Sequence, residues 1–187
     1  MILGMDISTS CTGFCVVNDE GEPVHFSRVE LTKIENFFEK VKKVKTHILE
    51  LMLKFPIETI AVEDYLTSFS RGRSSSGTLF KLAKFNGIIQ WVCYSDFDMQ
   101  AHPINVNNAR KINNIVVLGQ KKTTESAKDQ VLRQVKEIIG EKFDFPTKVL
   151  KSGDRKGAEV IEKYSYDMAD AFVIAKAMWI VKGEKGA

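Results

Sequence analysis

Two strand-length apolar runs, residues 2–7 and Thr59–Glu63, flank a stretch whose apolar residues recur every three or four positions. That stretch carries Ile34, Phe37, Phe38, Val41, Val44, Ile48, Leu51 and Met52, with mostly Lys and Glu between them. The spacing predicts an amphipathic helix with one face on a core, closed off by Pro56. Ahead of it, residues 13–17 and 24–29 form further strand-type runs around the turn chemistry of Asn18-Asp19-Glu20-Gly21-Glu22. A meander followed by strand–helix–strand alternation leaves few choices. It predicts an α/β sheet with mixed pairing.

The remaining chain continues the alternation. Residues 78–94 are predicted as a long apolar helix, 99–104 as a strand, and 107–117 and 123–139 as helices. Residues 140–164 are polar and include Pro146, Gly153 and Gly157, so they read as an extended loop or insertion before a last helix over 166–181. No repeat or linker divides the 187 residues, which suffice for one domain with a proper core. Net charge of +3 permits an anionic partner without requiring one. No apolar stretch is long enough to span a membrane, and Asp6 argues against a signal peptide. Cys11, Cys15 and Cys93 lack metal-ligand spacing and read as free, packed thiols of a reducing compartment. The expected location is cytoplasmic, in a bacterial cell or an infected host cell.

Four carboxylates stand where a core should be. Asp6 follows the apolar ILGM, Glu63 follows TIAV, and Asp167 and Asp170 sit in YDMADAFVIAKAMWIV, a helix apolar nearly all round. Residues three apart share a helix face, so Asp167 and Asp170 point the same way. Each acid alone has an ordinary reading as a turn residue, an ion-pair partner or a helix-start charge. Four unpaired buried acids together are costly, because burial and like-charge repulsion add. A hard divalent cation with oxygen ligands resolves the conflict. Other chemistries find no support. There is no GxxxxGK[ST] loop and no GxSxG elbow, and His25, His47 and His102 lack zinc spacing.

MILGMDISTSCTGFCVV, TIAVEDY and YDMADAFVIA, in this order, resemble the RuvC family of Holliday junction resolvases, nucleases of the ribonuclease H-like superfamily. The resemblance runs over nearly the whole chain. It departs at Ile7-Ser8, where the family's opening motif carries Pro-Gly, and in the length of 140–164. A divergent member, viral members included, fits these departures. The resemblance implies a ribonuclease H-like mixed five-stranded sheet flanked by helices. It implies Asp6, Glu63, Asp167 and Asp170 as a catalytic and metal-binding tetrad. It also implies a homodimer that nicks four-way DNA symmetrically.

Phosphodiester hydrolysis by two Mg²⁺ ions about 3.5–4 Å apart accords with such a tetrad, with Mn²⁺ as a substitute and Asp6 as the bridging ligand. Candidate DNA contacts are Arg71 and Arg73 in the loop after Glu63, Lys111, Lys121 and Lys122, and Arg155 and Lys156 in the polar segment. Phe69 or Leu66 is a candidate base wedge, with core packing as the alternative. The apolar helix over 78–94 is a candidate dimer surface. Three alternatives stay open: a broader branched-DNA nuclease or ribonuclease on the same fold, a catalytically inactive junction-binding module, and an actin-like phosphotransferase, which the short chain disfavours.

Overall fold

The computed structural model describes residues 1–64, 76–119 and 121–185. The first three strands, β1 (Ile2–Asp6), β2 (Cys11–Val17) and β3 (Pro23–Glu30), form the expected meander. Helix α1 (Phe37–Lys54) crosses over to β4 (Thr59–Glu63), and α2 (Ser76–Phe97) leads to β5 (Ala101–Ile104). Helices α3 (Val106–Ile112) and α4 (Ala127–Ile139) follow, then a two-stranded hairpin, β6 (Thr147–Val149) and β7 (Glu159–Ile161), and the closing α5 (Ser165–Lys185).

The main sheet has the order β3-β2-β1-β4-β5. β1 pairs antiparallel with β2 and parallel with β4, so the sheet is mixed and β1 is central. Alternation sorts the side chains into two cores. Leu3, Met5, Phe14, Val16, Ile60 and Val62 face α1 and α2. Ile2, Cys15, Val17 and Phe26 face the other layer, built from α3, α4 and α5. Both faces are covered, which is why β1 and β4 read as unbroken apolar runs rather than as alternating ones.

The α5 face is unusually close to the sheet. A Cβ on Gly4 would lie 2.3 Å from the Ala171 carbonyl oxygen, and one on Gly13 would lie 2.1 Å from the Asp167 carbonyl oxygen. Only glycine lets a helix backbone rest directly on strand backbone at these positions.

Two segments differ from expectation. The helix expected over 107–117 stops at Ile112. There the Asn113 side chain donates to the carbonyls of Ala109 (2.8 Å) and Val173 (2.9 Å), and Asn114 turns left-handed at φ 57°. The chain then leaves regular structure, held by Gln130 and Gln134 side chains that bond the backbone of Leu118 and Val116. Residues 140–164 are not a featureless loop. They contain a 3₁₀ turn (Gly140–Lys142) and the β6–β7 hairpin.

Candidate active site

Asp6 and Glu63 occupy the last positions of the adjacent parallel strands β1 and β4. Their neighbours Met5 and Val62 pair in register, and both belong to the α1/α2 core. Period-two alternation therefore sends Asp6 and Glu63 to the α5 side. Gly13 pairs with Asp6 and in turn with Arg28, so one row across the sheet end runs Asp6, Gly13, Arg28. Asp167 and Asp170 come from the first turns of α5, which Gly4 and Gly13 admit onto this same face. Strand ends and helix start thus bring four distant acids to one place.

Their electrostatics show the proximity. The Asp6 carboxyl retains some surface but is crowded by protein. Its pKa is raised well above the usual carboxylate range, first by burial, then by Glu63, Asp170 and Asp167. Asp6 and Glu63 share a side-chain hydrogen bond. Glu63 is also raised, because burial and the charge of Asp170 outweigh that bond and the cations Arg110 and Lys128. Asp167 is raised by burial and Asp170 against the opposing pull of Lys128 and a hydrogen bond from the Cys11 thiol. Three of the acids, Asp6, Glu63 and Asp167, are raised first by burial and then by neighbouring carboxylates, Asp170 among them, and such a cluster is a site short of positive charge.

Two basic side chains supply part of it. Arg110 on α3 donates through Nη2 to Asp170 Oδ1 at 3.2 Å, and Lys128 on α4 stands 3.8 Å from Asp167 Oδ1. Arg110 Nε is buried without a hydrogen-bond partner. The Cys11 thiol is held protonated by burial and by Asp167. From the α2 side, the buried Asn86 donates to the Glu63 carbonyl at 2.9 Å and fixes the end of β4.

Among the described residues, no three carboxylate, imidazole or thiol groups are already drawn together as a metal-ligand set. The tetrad exists here as a charge cluster. Asp6 and Glu63 face each other within hydrogen-bond reach, while Asp170 and Asp167 turn to Arg110 and Lys128. The donor chemistry still fits a hard divalent cation: all four groups are carboxylates, and their mutual repulsion is what such an ion relieves.

The other candidate residues divide into two groups. Lys111, Lys121 and Lys122 are exposed, and none forms an ion pair among the described residues. Arg71, Arg73, Phe69 and Leu66 lie outside the described residues. Sequence reasoning missed Arg110, Lys128, Cys11 and the role of Gly13. Arg110 adjoins the flagged Lys111, but a step of about 100° around the helix separates a site-facing residue from a solvent-facing one. Nothing local to ARKIN says which of the two faces inward.

No protein-family model and no curated protein matches the sequence. Solved structures do match. The chain is similar to RuvC of Thermus thermophilus in complex with a Holliday junction substrate, at 18% identity and TM-score 0.64, covering 98% of this chain and 94% of that one. A second Thermus thermophilus RuvC structure matches at 19% identity and TM-score 0.64, over 98% and 96% of the two chains. The yeast mitochondrial Holliday junction resolvase Ydc2 matches at 15% identity and TM-score 0.58, over 98% of this chain and 80% of its own. The mixed five-stranded sheet, its flanking helices and these matches over 98% of the chain give it the ribonuclease H-like fold of the RuvC-type resolvases.

Proposed function

We propose that this protein is a divalent-metal-dependent endonuclease that resolves four-way DNA junctions. The observation that carries the reading is the gathering of Asp6, Glu63, Asp167 and Asp170 at one end of the sheet, where burial and then neighbouring carboxylate charge raise the pKa values of Asp6, Glu63 and Asp167. Asp6, Glu63, Asp167 and Asp170 would hold Mg²⁺, with two ions per site and Mn²⁺ as a substitute. When bound, the ions supply the charge that activates a water and stabilises the departing oxygen of a phosphodiester. The protein's own part is positional. Central strand β1 presents Asp6, Asn86 fixes the β4 end beneath Glu63, and glycine contacts seat α5 so that both its acids face the strands. Arg110 and Lys128 hold the helix acids oriented and add positive charge at the rim, where a phosphate is attracted.

A four-way junction is close to two-fold symmetric, and one chain carries one such cluster. Paired nicking therefore calls for two copies. Phe80, Trp91 and Tyr94 on α2 are exposed large aromatics, and they suit a homodimer contact. Among the described residues, no helix is long and apolar enough to cross a membrane.

The test is cleavage of a synthetic four-way DNA junction with and without Mg²⁺, beside linear duplex, a flap and an RNA–DNA hybrid. Symmetrical nicks confined to the junction and lost in Asp6→Asn would support the proposal. Cleavage of every branched substrate would make this a broader nuclease. Tight metal-independent binding without cleavage would make it a junction-binding module. Light scattering at micromolar concentration reads the dimer, and a monomer mass there counts against paired nicking.

A further inference from the structure

The β6–β7 hairpin adds little to either core beyond Ile161 at its base. Its strands are three residues each, Thr147 to Val149 are all exposed, and Val149 keeps 58% of its surface. A two-stranded ribbon of this length is marginal by itself. This one is anchored firmly at its base. Phe143 stacks on Phe26 with ring centroids 4.4 Å apart, and Phe145 packs edge-on against both rings. Glu162 N donates to Pro146 O at 2.8 Å, and Arg28 pairs with Glu162 at 2.6 Å. Arg28 belongs to the sheet row that contains Asp6 and Gly13, and β7 runs directly into α5, whose first turn carries Asp167. The base of the hairpin is therefore at the acidic site, and its tip points away from the cores.

The tip has a definite shape. Leu150 N bonds Ala158 O, Gly157 N bonds Leu150 O, and Lys156 N bonds Gly153 O. Gly153 and Gly157 take left-handed φ values of 81° and 87°, which an L side chain rarely adopts. On this frame stand Lys148, Lys151, Arg155 and Lys156, all exposed, against two acids, Asp154 and Glu159. None of the four forms an ion pair among the described residues. At about 3.3 Å per residue, the ribbon reaches roughly 15–20 Å from its base. One strand of duplex DNA presents a phosphate about every 3.4 Å of axis, so that reach covers on the order of five phosphates of one strand.

We propose that the β6–β7 hairpin is a cationic arm that lies along the phosphate backbone of the duplex adjoining the cleavage site. The proposal rests on the nuclease reading and adds where the DNA runs. Contacts of this kind read no sequence. They fix register and supply salt-dependent affinity.

The test is the binding of a labelled four-way junction across a salt series, without metal and again in Ca²⁺, for wild type and K148Q/K151Q/R155Q/K156Q. These side chains are exposed, and unchanged melting of the variant verifies its fold. If at least two of the four meet phosphates, the slope of log affinity against log salt falls in magnitude by about 2, and affinity at 0.1 M salt falls about 60-fold. A second variant with the four residues changed to Glu should weaken binding further. Wild-type binding with both variants unchanged in slope and affinity overturns the arm and leaves the nuclease reading standing. No junction binding by wild type overturns both. Weaker binding to an acidic polypeptide, with DNA binding unaffected, would assign the arm to a protein partner and overturn the proposal.

Discussion

Gly13→Ala tests how the site is built. A methyl on residue 13 would stand 2.1 Å from the Asp167 carbonyl oxygen, 2.3 Å from its carbonyl carbon and 2.8 Å from Met168 N. All three are backbone atoms of α5, so no side-chain rotation relieves the contact. Ordinary contact begins near 3.4 Å, so the first turn of α5 must retreat by about 1.3 Å. The helix cannot slide freely, because Gly4 receives the Ala171 carbonyl one turn further on. Overpacking of this sort costs about 2 kcal/mol, which lowers the Tm of a chain this size by about 4–8 °C. Asp167 moves with the turn, and a 1 Å misplacement at a reacting centre costs about 10²-fold in rate. Single-turnover junction cleavage at saturating protein measures the rate, binding in Ca²⁺ separates affinity from chemistry, and a thermal melt measures the stability. A rate within about threefold of wild type, together with a Tm within about 2 °C, would refute the claim that backbone contact at Gly13 sets the position of Asp167.

Asp6→Asn removes the most perturbed carboxyl, so Mg²⁺ should no longer raise its Tm, whereas wild type at about 100-fold excess over its dissociation constant gains about 2.7 kcal/mol, or roughly 5–10 °C; an equal shift in both proteins would argue that the cation binds elsewhere. Gly87, inside α2, has open space around its Cα, so Gly87→Ala should raise the Tm by about 2–4 °C by helix propensity alone, as read by differential scanning calorimetry. Its contrast with Gly13 separates a spacing glycine from an incidental one. His25 has its pKa lowered by burial and by the charges of Lys54 and His47. The fold therefore favours neutral His25, and its contribution is full above about pH 6.5 and is lost as pH falls through the lower folded value. Urea midpoints between pH 7 and 5 should fall less steeply in His25→Gln than in wild type, and parallel curves would contradict that assignment.

Much of the architecture was readable from local pattern. The change from strand-type runs to a helical period placed every strand of the main sheet and all five helices, though boundaries moved. Thr59–Glu63 appears as read, whereas the third helix stops five residues early at Ile112. That stop depends on Asn113 reaching the Val173 carbonyl sixty residues away, which no window on the sequence contains. The hairpin within 140–164 was missed for a related reason. Its strands are too short and too polar to show alternation, and its order comes from Phe26 and Arg28 on a distant strand.

The sequence by itself singled out the four carboxylates of the candidate site. A carboxylate at the end of an apolar run is conspicuous because burial of charge is costly, and that cost is written in composition and spacing alone. Tertiary structure alone decided what surrounds those carboxylates. Arg110 rather than Lys111 meets Asp170, Lys128 reaches Asp167, and the Cys11 thiol joins the cluster, because helix rotation and inter-element packing set direction, and neighbouring residues of one sequence do not. The closeness of α5 to the sheet belongs to the same category. Gly4 and Gly13 are plain glycines in the sequence, and they become the seat of the site only when a helix from the far end of the chain lies against them.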